Sequence, residues 1–439
     1  MTDPFLRAKE LDEKYRFLNA VAQDTTSTGA GRLQGYSVSV KDCICTKGIE
    51  TKAGSRILEG YVPPFDATVV SRCRSEGAVV LGKTTQDEFG FGTFNVNTPY
   101  KVPLNPHDPE RTCGGSSGGA ACLTAVADFP HLALAESTGG SISCPASFCG
   151  VVGVTPTYGR VSRWGLIDYA NSLDKIGCMA KTVGEVALLL SVIGGPDEYD
   201  STVLDVPEED FADLEISVEG VKIGVPEEYF AEGVDDGVKD RVWVALKVLE
   251  GEGADLSEVS LPHTGVALSA YYIIAMAEAS TNLAKLCGLR YGLQPEEGGN
   301  FDEYFSRVRA EGFSEEAKRR IILGTFTRMA GYRDAYYLKA LKVRTRVIED
   351  FKRAFEEVDV LAAPTMPVVA PRFDEIAEME PIQQYMMDVL TVAPNLAGVP
   401  MISVPCGEVD GMPTGLHIMA DHLEEAKMLG VARTWEVLR

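Results

Sequence analysis

Two glycine–serine clusters are the places where this chain's backbone can do chemistry. The first is Gly114-Gly115-Ser116-Ser117-Gly118-Gly119, followed by a small, helix-prone run at 120–127. The second is Thr138-Gly139-Gly140-Ser141-Ile142, preceded by an apolar run at 132–135 that reads as a strand. Glycines beside a serine at the end of a strand let the chain turn sharply and approach a ligand closely. Successive amides at such a turn can point at one oxygen, which is what an oxyanion hole requires; one such donor is worth roughly 10²–10³ in the rate of acyl transfer. Taken alone, a G-G-S-S-G-G run is more often a flexible turn or a phosphate cradle. Neither a P-loop nor an α/β-hydrolase elbow is expected at these clusters.

A serine nucleophile needs a base, and histidine is the usual one. The five histidines, His107, His131, His263, His417 and His422, all lie outside the two clusters in sequence. Serine–lysine pairs are the known alternative. A lysine accepts a proton only when neutral, a state favoured by desolvation or by nearby positive potential. Lys41 is the candidate, because it stands just past a strand.

That strand is the period-two run Tyr36-Ser37-Val38-Ser39-Val40. Asp66 is expected to cap a helix that buries Val69, Val70 and Cys73 and stops at Gly77. A buried strand at 78–81 completes a β-α-β unit, which favours parallel pairing. In such sheets the ligand crevice lies outside the strand C-termini, where Lys41 falls. Further on, 197–213 reads as an acidic surface connection and 221–225 as a strand. Val238, Val242, Ala245 and Leu249 have helical spacing. Residues from about 261 to 357 read as a helical layer or lid over the sheet. Strand character returns at 358–365, and a turn at 395–400 with a strand at 402–405 is expected to close the chain.

The 439 residues carry a formal net charge of −23, and the pI is about 4.7. Such acidity argues against autonomous nucleic-acid binding, so any RNA contact is expected to come from a partner. No apolar run is long enough to span a bilayer. The N-terminal residues lack a secretory pattern, and a cytoplasmic location is expected. The ten cysteines read as reduced core residues, and no metal site is expected.

Lys41, the 114–119 cluster and Thr138-Gly139-Gly140-Ser141-Ile142-Ser143-Cys144-Pro145-Ala146, in that order, resemble the amidase signature family. The likeness continues through 150–162 and 171–177 to the C-terminus, over nearly the whole chain. It implies one α/β domain, residues 1–439, with a mixed central sheet covered by helices on both faces. By this resemblance Ser141 attacks an amide carbonyl, Ser116 on a cis peptide relays the proton, and Lys41 accepts it. Backbone amides of Thr138, Gly139, Gly140 and Ser141 would hold the oxyanion.

Within the family the chain looks most like the ammonia-supplying A subunits of tRNA-dependent amidotransferases. The segments that carry this likeness include 87–90, 271–280, 318–326 and 388–391. It implies that Arg320 binds the carboxylate of free glutamine, that Asp388 binds its amine, and that Tyr271 lines the same pocket. It also implies a B subunit that uses ATP and Mg to activate Asp-tRNA(Asn) or Glu-tRNA(Gln), a bracing C subunit, and no cofactor in this chain. The alternatives are a free-standing amidase on small amides and a catalytically impaired scaffold subunit.

The chain departs from the family's pattern at Ser137, Ser143 and Thr155, where Asp, Arg and Lys are usual. It also carries one extra residue between Ser116 and Ser141, and a short lead before Lys41. Losing the acidic and the basic residue together avoids stranding one buried charge. Ser137 and Ser143 are therefore expected to replace an ion pair with neutral hydrogen bonds.

Overall fold

The computed structural model describes residues 3–22, 29–214, 216–295 and 299–439. Among these residues eleven strands form one mixed sheet: β1 (Leu18–Val21), β2 (Ser37–Lys41), β3 (Val79–Thr84), β4 (His131–Ser137), β5 (Val152–Thr155), β6 (Lys175–Ala180), β7 (Lys222–Pro226), β8 (Asp255–Val259), β9 (Val360–Pro364), β10 (Met401–Val409) and β11 (Met412–Ala420). Their order across the sheet is β1-β3-β2-β4-β6-β5-β10-β11-β9-β7-β8. β2 runs parallel to both β3 and β4, as the β-α-β reading requires. β4 then pairs antiparallel with β6, which makes the sheet mixed.

Every residue of β4, β6 and β11 is buried, so both faces of the sheet centre are covered by helices. This is why β4 reads as a nearly continuous apolar run rather than an alternating one. The edge strand β8 is polar and mostly exposed (Asp255, Ser257, Glu258), which discourages pairing with another chain. The helix Asp236–Gly251 buries Val238, Val242, Ala245 and Leu249, the face its spacing predicted. Nine of the ten cysteines are buried. No helix among the described residues is long and apolar enough to cross a membrane.

Three expectations change. Asp66 does not cap the helix Thr68–Ser75, whose N-cap is Ala67 without a side-chain bond. Its carboxylate lies one residue too early and takes the Lys47 amide at 2.7 Å and Arg74 at 3.3 Å instead. The first half of the turn expected at 395–400 is instead the end of the helix Val392–Ala397, closed by Gly398 in the left-handed region. Pro394 in its first turn is no obstacle, since the amide there has no helical partner. Nor does the chain close at 402–405: β10 continues to Val409, β11 returns beside it, and the helix Glu425–Leu438 follows. Asp410 and Gly411 both have positive φ, so the Asp-Gly pair makes the hairpin turn between β10 and β11.

Residues 77–84 spell G-x-x-x-x-G-K-T, the P-loop pattern, outside the two clusters. In the fold they are mainly β3, extended and paired with β1 and β2. A phosphate cradle needs those residues as a loop opening a helix, so the match is accidental.

The helical layer consists of Thr264–Asn282, Phe301–Gly312, Glu315–Arg328 and Lys339–Glu357. It meets the strand ends through buried polar links. Glu88, 1% exposed, accepts hydrogen bonds from Ser55 Oγ at 2.5 Å and from the Ser314 amide at 3.1 Å, just ahead of Glu315–Arg328. Arg344 donates to Ser172 O and Leu396 O at 2.9 Å each. Removing the Glu88 carboxylate strands the donors that reach it, a loss of about 1–3 kcal/mol. Glu88→Ala is expected to lower the unfolding free energy by that amount, read from the urea midpoint. Amide exchange should rise first in 315–328.

Candidate active site

Because β2 and β4 are parallel neighbours, their C-terminal ends deliver Lys41 and the Thr138-Gly139-Gly140-Ser141 turn to the same place. Lys41 is the last residue of β2 and is wholly buried. Its Nζ lies 2.7 Å from Ser116 Oγ, 2.9 Å from the Glu136 main-chain oxygen and 2.9 Å from Glu136 Oε2. The Gly115–Ser116 peptide is cis. Ser117, the next residue, donates its amide to Ser141 O at 3.3 Å, so the two glycine–serine clusters are stitched together. Residues 114–118 also spell G-x-S-x-G, a second motif inside the first cluster. No strand leads into them, as a nucleophile elbow requires, and the Ser116 hydroxyl faces Lys41.

Ser141 lines a small cleft together with Gly90, Gly139, Gly140, Tyr271, Arg320 and Asp388. Close approach explains the glycine pair. A Cβ on Gly139 would come within 2.4 Å of the Tyr271 ring, and one on Gly140, at φ +144°, within 2.2 Å of Thr391 Oγ1. Thr391 also donates to Gly139 O at 2.7 Å, which pins the turn.

The three residues assigned to a substrate pocket come together with Ser141, although they lie far apart in sequence. Arg320 is 2% exposed. Its guanidinium donates to Glu316 Oε1 and to Tyr169 Oη at 2.7 Å each. It lies 5.0 Å from the centre of the Phe91 ring and 5.4 Å from that of Tyr272. Burial works against its charge, but Tyr169, Glu316 and Tyr272 outweigh it and hold the guanidinium above its ordinary range. Asp388 accepts from Tyr272 Oη at 2.6 Å and Thr93 Oγ1 at 2.9 Å. Burial raises its carboxyl to about 6 despite those bonds and Arg320. Burial also pushes the Tyr271 phenol far up, so it stays neutral.

Sequence reasoning missed several members of this site. Glu136 is one, although its signal was present: an acidic residue inside the apolar run that forms β4. Asp174 and Tyr272 are others, inside segments 171–177 and 271–280 that carry the likeness, whereas nothing in the local sequence distinguishes Tyr169 and Glu316. Asp87, in the first of the segments that carry the amidotransferase likeness, receives the amides of Asn95 at 2.9 Å and Asn97 at 2.8 Å and so shapes the loop behind Gly90 and Gly92. Burial raises its carboxyl to about 6.

At the departures, Ser137 Oγ accepts from the Gly140 amide at 3.2 Å, and Ser143 Oγ lies 3.5 Å from His417 Nε2. Each serine has a neutral partner of its own, and they do not bond to each other. Thr155 Oγ1 is buried with no hydrogen-bond partner, as is Nζ of Lys175 on the neighbouring β6. Burial, then Arg344, lowers Lys175 to about 7. His417 contacts Ser143, and burial drops it to about 3. No group of three His, Cys, Asp or Glu that could hold a metal ion occurs among the described residues.

Comparison with known proteins agrees with this geometry. A family model for amidases matches residues 8–429. The A subunit of glutamyl-tRNA(Gln) amidotransferase from Methanococcoides burtonii is 53% identical over 407 residues, 93% of this chain and 85% of the relative. Its counterpart from Persephonella marina is 46% identical over 434 residues, 99% of this chain and 87% of the relative. Among solved structures, the A subunit of glutamyl-tRNA(Gln) amidotransferase from Thermotoga maritima superposes with a TM-score of 0.85 at 38% identity, covering 98% of this chain and 89% of that one. The chain, with its paired glycine–serine turns around a buried lysine, belongs to the amidase family.

Proposed function

We propose that this chain is the glutaminase subunit of a tRNA-dependent amidotransferase, and that it works with Ser141, Ser116 and Lys41. The observation that carries the reading is the wholly buried Lys41 Nζ, 2.7 Å from Ser116 Oγ, beside a cleft in which Ser141 meets both Arg320 and Asp388. A free amino acid presents a carboxylate and an ammonium, and a cleft holding one buried cation and one buried anion matches both. The names of the similar proteins, and their share of identical residues, support the same conclusion.

In the proposed reaction Lys41 first holds a neutral amine. The Ser141 hydroxyl proton passes to Ser116 Oγ while the proton of Ser116 passes to Lys41 Nζ, and Ser141 Oγ bonds to the side-chain amide carbon of glutamine. Amides of residues 138–141 receive the developing oxyanion; that of Gly140 is turned to Ser137 Oγ at rest. Lys41 returns its proton through Ser116 to the amide nitrogen, the C–N bond breaks, and ammonia leaves. Water then releases glutamate from Ser141 by the same relay. The ammonia serves a B subunit that uses ATP and Mg to activate Asp-tRNA(Asn) or Glu-tRNA(Gln), with a C subunit bracing the pair. This acidic chain would reach tRNA only through those partners.

Ser141→Ala is expected to abolish glutamine hydrolysis in the assembled complex while amidation with added ammonium salt persists; loss of both would refute the division of labour. Lys41→Met should lower hydrolysis by at least about 10²-fold, the range for removing a general base. Asp388 carries its charge only above about pH 6. As pH falls through that value the partner of the substrate ammonium is neutralised. The KM for glutamine should therefore rise, about tenfold per pH unit below it, and Asp388→Asn should give a high KM without that dependence. A neutral small amide should show neither effect.

A further inference from the structure

The lysine's surroundings contain an arrangement that the triad alone does not explain. Nζ has three tetrahedral positions beyond its carbon, and three oxygens sit within hydrogen-bond distance of it. Two belong to one residue: the main-chain oxygen and Oε2 of Glu136, each at 2.9 Å. Those two can only accept from Nζ while Glu136 is ionised. The third position therefore faces Ser116 in either protonation state, as an N–H in the ammonium and as the lone pair in the amine.

A second count fixes the state of the groups behind. Thr138 Oγ1 lies 2.8 Å from Glu136 Oε1 and 2.8 Å from Asp174 Oδ1. A hydroxyl has one hydrogen. With both carboxyls ionised, one of these short contacts would hold no hydrogen, between oxygens that carry lone pairs and negative charge. One carboxyl therefore carries a proton, as expected for two acids sharing a buried site. Glu136 faces the lysine. Asp174 Oδ2 already accepts the amides of Tyr169 at 2.8 Å and Ala170 at 2.9 Å, which leaves Oδ1 to bear the hydrogen. Burial, then the charge of Glu136, pushes Asp174 far above the ordinary carboxylate range.

We propose that Glu136 is the positioning residue of Lys41, holding two of the three Nζ positions so that the third is aimed at Ser116. In the same network Asp174 is kept as a neutral acid, and its hydrogen bond through Thr138 keeps Glu136 turned to the lysine. The inference rests on Lys41 being the base.

The other charged groups around this network are Lys175, next to Asp174 at the start of β6, Arg163, and Arg344 from the helix Lys339–Glu357. Lys41 also acts on Asp87 across the loop 87–97. Lys175 Nζ is buried without a hydrogen-bond partner.

The test compares three variants of the full chain in its complex. Glu136→Gln keeps an oxygen for Nζ and an amide for Thr138 but removes the anion. The acidic limb of kcat/KM for glutamine hydrolysis should then move to lower pH by about one unit, a roughly tenfold relative gain at the acidic end. Glu136→Leu removes the side-chain contact, and kcat should fall on the plateau by about 10-fold or more with KM for glutamine unchanged. A merely structural role would leave the limb of the remaining activity in place; an unmoved limb in Glu136→Gln, or one moved to higher pH, would overturn the proposal. An infrared difference spectrum needs no turnover: the wild-type chain near neutral pH should show a protonated-carboxyl band that Asp174→Asn lacks. Absence of that band refutes the neutral acid even if a Glu136 variant does not fold. Full activity of Lys41→Met would instead refute the assignment of the base on which this inference stands.

Discussion

A lysine head group with no exposure to solvent is costly to place inside a protein, and much of the architecture around Lys41 answers that cost. Moving an ammonium out of water costs several kcal/mol even after relaxation, unless it is paired and fully hydrogen-bonded. Here the offset comes from Glu136, through both its main-chain and side-chain oxygens, and from Ser116. That requirement makes the parallel pairing of β2 with β4 indispensable: only adjacent strands ending together bring a side chain at 41 to a residue at 136. Extending the network to Thr138 and Asp174 ties in the start of β6, the next strand across.

The cleft beyond the lysine is assembled from distant parts of the chain. The loop after β3 contributes Gly90, the turn after β4 contributes Ser141, and the helix Thr264–Asn282 contributes Tyr271 and Tyr272. Arg320 comes from Glu315–Arg328, and Asp388 from the segment leading into Val392–Ala397. These pieces are locked by buried polar bonds and by aromatic packing, such as Tyr272 stacked on Tyr385 at 4.3 Å. The rings of Phe91, Tyr169, Tyr272 and Tyr385 around Arg320, together with its buried ion pair to Glu316, hold its charge in a dry site. The fold itself therefore holds these side chains in place around the cleft.

Much of the fold was legible because hydrophobic periodicity is local. Strand β2, the helix Asp236–Gly251 and the run of helices between 261 and 357 all follow from spacing. Strands such as β5, Val-Gly-Val-Thr, and β6, with its glycine and lysine, were not legible. They are short and gain their strand character from neighbours rather than from their own residues. Two spelled patterns show the same limit from the other side. The P-loop string at 77–84 and the G-x-S-x-G at 114–118 are present as letters, but the fold gives neither the backbone that would make it work.

The types and order of Lys41, Ser116 and Ser141, with glycines where backbones must pass closely, are set by the sequence, and they resemble one family strongly enough to name it. Only tertiary structure decided that Glu136 meets the lysine, that Asp174 shares a hydrogen bond with it through Thr138, and that Arg320 and Asp388 face one cleft. The reason is physical: a motif records which groups are available, but the charge state of a buried group depends on what surrounds it in space. Those neighbours come from strands and helices that only the folded sheet brings together.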